Sequence, residues 1–569
     1  MKDIIIRNGY VYDPLNGVNG ERIDILLREG KVVDSINERN ADVIDASGKT
    51  VMPGGVDLHS HIAGSKINIG RLMRPEDHRR DQVPKGKYTR AGVGYSCPST
   101  FITGYRYAQL GYTTVMEAAM PPLGARHVHE ELLDTPIIDK GAFTLLGNNY
   151  FTLKYVRDGD IEMLKAFVSW LLKATKGYAV KIVNPGGVEN WKWGRNVHGL
   201  DGNVEDYNIT PRQIVTSLAE VNEQLGLPHT IHVHCNNLGM PGNYKTTIET
   251  MEALRKIKPK EGRKNTIHVV HCQFNALAGN NWMNVKSGAP YIAKYVNSHD
   301  HVTLDLGQVI FTDTTTMTGD GPWQFTLWNM TGNKWVNSDV EMEAGAGVVP
   351  YTFKSNNPAN SVQWGIGIEL ALLVKDPWKI YMTTDHPNGG PFIFYPKVLT
   401  WLMSRKARTD TMLDMNKTVF KRTDLMNNYR EYSFNEIAIA TRAGTAKVLG
   451  LNSKGHLGIG ADADVAVYDV DPTNWRPSQY NTLEKAFTKA AYTVKGGQIV
   501  VKDGEIVATP IGATHWAESK VPDSLESEFL KDLKKDFDKY YTVGLRNYPV
   551  EDSYLPIQKI YKSTGGKIE

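Results

Sequence analysis

The sequence is poor in cysteine and contains no long uninterrupted hydrophobic segment. Its 569 residues include only three cysteines, Cys97, Cys235 and Cys272, and an odd, sparse count argues against a disulfide framework. Neither positive nor negative charge is in excess, since the chain has 65 basic and 62 acidic residues. This balance does not indicate a surface for nucleic acid. No apolar run approaches the roughly 20 residues that span a bilayer, and the first residues are too charged for a signal peptide. We therefore expect a cytoplasmic protein with no nucleic-acid or membrane partner.

The length of the chain predicts more than one folding unit. Both ends contain short strand-like runs separated by turn signals such as Asn-Gly and Asp-Gly, which are typical of small β structures. We predict that residues 1–53 and 451–510 together build one composite β-sandwich domain. Residues 511–569 are predicted to form a C-terminal helical extension, whose apolar stripe packs onto the body of the chain or onto another subunit.

Between these ends, over residues 54–450, β-rich runs alternate with helical patterns. This alternation predicts an α/β fold, a parallel (β/α)8 barrel of the TIM type. Two long insertions, 65–108 and 307–377, each follow a candidate strand and should therefore lie over the catalytic face. The eight strand-like runs are Thr50–Ile62, Tyr112–Glu117, Phe143–Leu146, Ala179–Val183, Thr230–His234, Thr266–His271, His301–Leu306 and Ile380–Asp385.

Histidines end three of these runs. His59 and His61 are separated by one residue, and positions i and i+2 share one face of a strand about 7 Å apart. Both imidazoles can therefore reach one metal from the end of a single strand. In isolation this pattern is weak evidence, but a buried strand that ends in polar residues strengthens it.

His234 and His271 end two further runs. Imidazole at a strand terminus is a common ligand for zinc and other borderline metals. His232 and His268 lie in the same runs and are competing candidates, since spacing alone does not choose between them. We place the terminal histidines in the site because barrel active sites form at the carboxyl ends of the strands.

Lys181 lies inside the apolar run Ala179–Val183, where an unpaired ammonium group would be costly to bury. Three interpretations follow from the residues alone: a side chain that faces outward, an ion pair within the barrel, or a lysine carbamylated by CO2 whose anion bridges two metals. Asp385 ends the last run, where a carboxylate can bind a metal and also transfer a proton. An aspartate before His-Pro is also typical of a turn or a cap.

These motifs together resemble the amidohydrolase superfamily, and in particular its cyclic-amidase branch of dihydroorotases and hydantoinases. Residues 53–61 match the Pro-Gly-x-hydrophobic-Asp-x-His-x-His strand, and residues 384–387 resemble the Thr-Asp-His-x-Pro segment. The similarity extends over residues 1–510 and implies that two zinc ions are bridged by a carbamylated Lys181, with Asp385 as the catalytic acid and base. The implied metal ligands are His59, His61, Lys181, His234, His271 and Asp385.

A narrower resemblance lies in the first insertion, where residues 62–78 are similar to a distinctive segment of the A-type subunits of formylmethanofuran dehydrogenases, and residues 313–321 also fit. This resemblance implies a subunit of the CO2-reducing complex of methanogenesis. Formate, made at a tungsto- or molybdopterin site on a partner subunit with iron–sulfur clusters, would be condensed with the amine of methanofuran. The product would be formylmethanofuran, and the reverse reaction is hydrolysis of a formyl amide.

The first insertion is also locally basic over residues 65–90. We predict that Arg74 and His78 bind an anionic substrate at the lip of the site, while a solvated or subunit-facing charged loop is the alternative. Three other functions stay open: the hydrolytic A-type subunit of a bacterial formyltransferase/hydrolase complex, a free-standing cyclic amidase, and a non-catalytic scaffold that kept the barrel.

Overall fold

The computed structural model describes residues 2–338, 346–564 and 567–568. Part of the insertion predicted at 307–377, and the last residues of the extension, therefore lie outside the described residues. None of the helices within those ranges combines the length and the apolar character that a membrane crossing requires.

Eight parallel strands form the central sheet, and each strand pairs with the next one along the chain. Nearly every residue in them is buried, as expected for a parallel sheet covered by helices. Ser60 bridges His386 in parallel, which joins the first strand to the segment after the last. The predicted TIM-like α/β fold is confirmed. The strands are β1 (Gly55–Ser60), β2 (Tyr112–Met120), β3 (Asp139–Leu145), β4 (Ala179–Val183), β5 (Ile231–His234), β6 (Ile267–Val269), β7 (Val302–Asp305) and β8 (Ile380–Tyr381).

Helices connect these strands and cover the outside of the sheet. Pro211–Gln224 shows how local sequence sets a helix start, because Thr210 and Gln213 form a capping box and Pro211 occupies the first turn. The longer helices of this layer are Thr100–Gln109, Ala125–Asp134, Tyr150–Asp158, Ile161–Thr175, Pro211–Gln224, Tyr244–Ala253, Ala289–Ser298, Pro358–Leu373, Tyr395–Met403 and Arg405–Leu413.

The two chain ends meet in one seven-stranded sheet. Its strand Thr50–Pro53 pairs with Tyr10–Asp13 on one side and with Val465–Tyr468 on the other, and it leads directly into β1. A four-stranded sheet packs beside it through a shared apolar cluster that includes Ile6, Val51 and Val465. The other strands of the two sheets are Ile4–Arg7, Val18–Arg22, Ile25–Arg28, Lys31–Val33, Asp42–Asp45, Tyr492–Lys495, Gln498–Lys502 and Glu505–Ile506.

The C-terminal extension contains a helix, Asp523–Tyr540, whose buried Phe529, Leu533 and Phe537 pack on the body of the chain. It also contains strands, which the prediction of a helical extension omitted. Thr514–Ser519 pairs with β3 at Lys140 and Gly141, and Gln558–Thr564 pairs with Thr514–Ser519. This edge of β3 is open because β4 pairs with it only from Phe143 onward, and sequence periodicity does not reveal such an edge.

The two insertions cover the carboxyl ends of the barrel strands and contact each other. Ile67 and Cys97 from the first insertion pack with Met317 and Val348 from the second. The first insertion begins with the helix Ser65–Met73, which starts four residues after His61. The remaining elements of the insertions are Asp77–Arg80, Gln82–Val83, Gly92–Val93, Asp313–Thr316, Gly321–Thr331, Val336–Ser338 and Ala346–Thr352.

A buried ion cluster lies where β3, the composite domain and the extension meet. The Nζ atom of Lys454 contacts the carboxylates of Asp139, Asp462 and Asp464, at 2.9 Å and 2.6 Å for the last two. Burial opposes ionisation of Asp139, but Lys454 and Lys495 hold its pKa well below the usual value. Because β3 begins at Asp139, this cluster lies at the amino-terminal face of the barrel, where charged groups serve stability rather than catalysis.

Replacing Lys454 with methionine is expected to destabilise the protein by about 3–5 kcal/mol, because three buried carboxylates lose their shared cation. Denaturant unfolding monitored by circular dichroism measures the effect. The matched control is Lys489→Met, which removes an exposed ion pair with Glu505 and should cost under about 1 kcal/mol. An equal loss in both variants would contradict the assigned role.

The difference in stability between the parent protein and the Lys454→Met variant should change with pH in one direction. The folded pKa of Asp139 is lowered, so its stabilising contribution is complete above the unfolded value of about 4. The contribution is lost as the pH falls from there toward the folded pKa. The stability gap between the parent protein and the Lys454→Met variant should therefore narrow only in that acidic range.

Candidate metal centre

Two histidines at the end of β1 and one carboxylate in the segment that follows β8 lie close together. The Nε2 atoms of His59 and His61 lie 2.9 Å and 3.3 Å from Oδ1 of Asp385. All three side chains are buried, and their ligand atoms lie close enough together to hold one metal ion. Sequence spacing predicted that His59 and His61 share one strand end, and the position of Asp385 at the end of the last run placed it there too; the structure brings the three together.

Only one of the two Asp385 carboxylate oxygens accepts a hydrogen bond from the described residues. Asn388 donates from Nδ2 to Oδ1 at 2.9 Å, whereas Oδ2 has no hydrogen-bond partner among the described residues. Burial opposes ionisation of this group, but His271 and His59 hold its pKa well below the usual value. Asp385 also has a left-handed backbone conformation, with φ of 51°, which is unusual for a non-glycine residue and common at functional sites.

His234 and His271 form a second histidine pair beside the first. Their ring centroids are 4.7 Å apart, and the ring of His271 lies 5.4 Å from that of His59. The Nδ1 atom of His271 has no hydrogen-bond partner within the described chain. His271 likewise has a positive φ, 34°. These two histidines therefore border the same space as His59, His61 and Asp385.

Lys181 is buried within the barrel, with 1% of its surface exposed, which excludes an outward-facing side chain. Its Nζ atom has no hydrogen-bond partner in the part of the chain that the structure describes. Burial lowers the pKa of Lys181 to about 7, and the nearby carboxylates of Asp385 and Asp305 oppose this only in part. An amine with that pKa is substantially neutral at physiological pH, which is the form that reacts with CO2.

His232 and His268 lie deeper in the barrel than the terminal histidines. Their rings stack with centroids 4.9 Å apart, and Nε2 of His232 lies 2.9 Å from Nδ1 of His59. Burial lowers the pKa of His232 well below its usual value. His232 therefore contacts the ring nitrogen of His59 that does not face Asp385. His59, His232 and Asp305 form a second group of buried ligand atoms close enough together to hold one metal ion.

Three carboxylates that sequence reasoning did not identify each contact one of the proposed histidine ligands. Such partners fix the tautomer and orientation of a metal-binding imidazole. Asp305 ends β7 and Glu117 lies near the carboxyl end of β2, positions that could have signalled them, whereas Asp320 lies in the second insertion. The pairs are His61 Nδ1 with Glu117 Oε1 at 3.2 Å, His59 Nδ1 with Asp305 Oδ2 at 3.4 Å, and His234 Nε2 with Asp320 Oδ2 at 3.0 Å.

The first insertion contains the two residues predicted at the lip of the site and a further buried lysine. Arg74 is buried in contact with Asp77 and Asp313, and His78 is exposed. Their predicted role at the lip stays a prediction. Lys66, from the same insertion, is 3% exposed, and its Nζ atom has no hydrogen-bond partner among the described residues.

An apolar cavity of about 190 Å3 adjoins the cluster. Asn388 both lines this cavity and donates a hydrogen bond to Asp385, so the cavity and the carboxylate share one wall. Aromatic side chains form much of the remaining wall. They are Phe274, Trp282, Trp323, Tyr351 and Phe353.

The chemistry of this donor set suits a borderline divalent metal. Imidazole nitrogens and a carboxylate oxygen surround one position, two further imidazoles lie alongside, and a buried amine without a partner lies in the same interior of the described chain. Zinc prefers this mixture of nitrogen and oxygen ligands. The residues His59, His61 and Asp385 therefore fit a bound metal ion.

The chain belongs to the amidohydrolase family, whose profile matches residues 42–501. It is 52% identical over 565 residues to the protein FwdA of Methanocaldococcus jannaschii, covering 98% of this chain and 99% of that protein. It is also 37% identical over 531 residues to the A-type component of the formyltransferase/hydrolase complex Fhc of Methylorubrum extorquens, covering 90% of each.

A solved structure supports the same relationship. The crystal structure of the complex FhcABCD from Methylorubrum extorquens, determined with methylofuran, contains a chain that superposes with a TM-score of 0.88. The two chains are 34% identical, and the match covers 99% of this chain and 100% of that one. The family predicted from the sequence motifs is confirmed, and so is the similarity to A-type subunits.

Proposed function

We propose that this protein is the amidohydrolase-type subunit of a formylmethanofuran dehydrogenase complex. It would condense formate with the amine of methanofuran and, in reverse, hydrolyse the formyl amide. The observation that carries the proposal is the buried group of His59, His61 and Asp385, whose ligand atoms could hold a metal ion, in a chain similar over 98% of its length to FwdA. A scaffold without catalysis would not need to retain these buried, costly groups.

The proposed centre holds two zinc ions. His59, His61 and Asp385 would hold one ion, and His234 with His271 would hold the other. Lys181 in its carbamylated form would bridge them, which is supported by its buried Nζ atom without a partner among the described residues. When bound, the two ions supply Lewis acidity toward the formyl oxygen and toward water.

The protein's own residues would position and move the proton. The free Oδ2 atom of Asp385 is available to accept a proton from water and to deliver it to the leaving amine. The hydrogen bond that Asn388 donates engages Oδ1 and leaves Oδ2 without a partner among the described residues. In the condensation direction the same carboxylate would remove a proton from the attacking amine.

The aromatic cavity beside Asn388 is suited to the ring-bearing part of an amine such as methanofuran. Aromatic walls bind flat rings through stacking and through loss of hydrated apolar surface. The related FhcABCD structure was determined with methylofuran, which supports a furan-type substrate here. The two insertions would exclude bulk water from the reaction.

A second candidate is the hydrolytic role of an Fhc-type complex, favoured by the TM-score of 0.88 with a chain of FhcABCD. The partner subunits distinguish the two functions. Affinity purification of the native complex from a cell extract should recover partners that carry tungsten or molybdenum and iron–sulfur clusters. Recovery of partners without redox metals would favour the Fhc-type function instead.

Removal of metal is expected to abolish hydrolysis of formylmethanofuran by the purified complex. This direction needs no electron acceptor, so release of formate reports the proposed centre without the redox subunits. Treatment with a zinc chelator should remove about two zinc ions per chain, and zinc with bicarbonate should restore activity. Persistence of full hydrolysis in zinc-free protein would refute the proposal.

A further inference from the structure

Three buried histidines, His229, His232 and His59, form a hydrogen-bonded series inside the barrel. His229 lies two residues before β5, on the amino-terminal side, and His232 lies within that strand. The Nε2 atom of His229 is 3.1 Å from Nδ1 of His232, and Nε2 of His232 is 2.9 Å from Nδ1 of His59. All three residues have 0% of their surface exposed. The series therefore connects the start of β5 to the histidine that contacts Asp385.

A backbone carbonyl fixes the far end of this series. The Nδ1 atom of His229 lies 2.8 Å from the carbonyl oxygen of Val448, the penultimate residue of the helix Gly444–Leu449. The last carbonyls of a helix have no donor within the helix, so this oxygen is available to another group. Because a carbonyl oxygen only accepts, the proton of this hydrogen bond belongs to Nδ1 of His229. Burial lowers the pKa of His229 well below its usual value, so the ring is neutral and Nε2 carries a lone pair.

The proton on Nδ1 of His229 sets the proton position in each following ring. A neutral imidazole has one donor and one acceptor nitrogen. Because Nε2 of His229 accepts, Nδ1 of His232 donates and Nε2 of His232 accepts. The Nδ1 atom of His59 must then donate, and it also lies 3.4 Å from Oδ2 of Asp305, a second acceptor. The neutral His59 ring therefore presents the lone pair of Nε2 on the side that faces Asp385.

We propose that His229 and His232 are positioning residues that hold His59 in the tautomer able to bind a metal ion through Nε2, an inference that rests on the proposed function. His229 acts only through His232. Partners of an imidazole ligand fix its tautomer and orientation, and their loss commonly lowers metal affinity by about 10–100-fold. Without His229, the opposite tautomer of His232 would donate to Nδ1 of His59. His59 would then carry its proton on Nε2, where it blocks the metal ion.

The test measures zinc affinity of the full chain by competition with a chromogenic chelator, which does not depend on turnover. His229→Leu removes both the donor and the acceptor and should weaken zinc binding by about 10–100-fold. His229→Gln should stay within about threefold of the parent, because the glutamine amide reaches the position of Nε2 and its oxygen can accept from His232.

The matched control is His129→Leu. His129 is also buried, and its Nε2 atom lies 2.9 Å from the carbonyl oxygen of Thr175. It belongs to the helix Ala125–Asp134 in the outer layer. Both leucine variants lose a buried imidazole and its hydrogen bond to a carbonyl, so both should unfold at a lower midpoint. Only His229→Leu should lose zinc affinity, and an equal loss in both variants would mean that the effect is structural.

His229→Asn separates the tautomer from packing and replaces His229→Leu if that variant does not fold. The asparagine amide reaches the position of Nδ1, so the hydrogen bond to Val448 is kept and the one to His232 is lost. Zinc affinity should fall by about tenfold or more while the unfolding midpoint stays close to that of the parent. Zinc affinity within about twofold of the parent in folded His229→Asn overturns the inference.

His232→Gln tests whether His232 binds a metal ion itself, as its place beside His59 and Asp305 allows. In the proposed arrangement glutamine keeps an acceptor for Nδ1 of His59, so the variant should retain the zinc content of the parent. Loss of an ion would make His232 a ligand and overturn its positioning role. If the parent complex has no formyl-amide activity while His229→Leu still loses zinc affinity, the proposed function fails and the positioning role stands.

Discussion

Replacement of Lys181 with methionine is expected to remove the binuclear centre and to lower formyl-amide hydrolysis by at least about a thousandfold. The proposed carbamate supplies a ligand to both ions, so its loss removes the bridge and several kcal/mol of Lewis-acid stabilisation. Zinc content by mass spectrometry and formate release by the complex measure the two effects. A variant that keeps two zinc ions and normal turnover would contradict the bridging role.

The stability of the Lys181→Met variant separates chemistry from misfolding. Lys181 is buried and its Nζ atom has no hydrogen-bond partner within the described residues, so an apolar side chain of similar length should fit at no cost. We expect an unfolding midpoint equal to or above that of metal-free parent protein. In Lys181→Ala, a short carboxylate such as acetate can occupy the vacated space and should restore part of the zinc binding.

Replacement of Asp385 with asparagine is expected to reduce turnover by about 10²–10⁴-fold, the usual contribution of a general acid and base. Asparagine keeps the size of the side chain and one oxygen, and it retains part of the contact with His59 and His61. Steady-state kinetics of formylmethanofuran hydrolysis, with zinc measured in the same preparation, gives the result. The fall should appear in kcat more than in KM, because the lost proton transfer occurs in the transition state.

Asn388→Ala is the matched comparison for Asp385. Asn388 donates to the same carboxylate but does not face its free oxygen, so its loss should lower kcat by a smaller factor, about tenfold to a hundredfold. Near-normal turnover of zinc-loaded Asp385→Asn would exclude the acid–base role. Equal losses in both variants would mean that orientation alone accounts for the effect.

The fold was largely predictable because its signals are local. Each of the eight strand-like runs overlaps a barrel strand, and the helix predicted after Thr210 begins with the expected capping box. The strand Thr514–Ser519 was not predicted, because it depends on an open edge of β3 near Lys140. Pairing partners so distant in the chain leave no mark in hydrophobic periodicity.

The site was predictable to the extent that ligand residues lie at strand ends. Histidines and Asp385 follow this rule, and the structure brings them together. The choice of His234 over His232 stays a prediction, because His59, His232 and Asp305 also place their ligand atoms close enough together to hold a metal ion. The predicted role of Arg74 and His78 at the lip stays a prediction, since charge along a segment does not show which side chains are buried, as those of Arg74 and Lys66 are.

The sequence by itself determined the strand–helix alternation, the family and the residue types that can bind metal, because these follow from side-chain periodicity and from motifs of adjacent residues. Only the tertiary structure decided which carboxylate supports which imidazole, as Glu117 does for His61. It also revealed that the amines of Lys181 and Lys66 are buried without hydrogen-bond partners among the described residues. Desolvation and hydrogen bonding depend on distances between segments that are far apart in the chain, and folding alone establishes them.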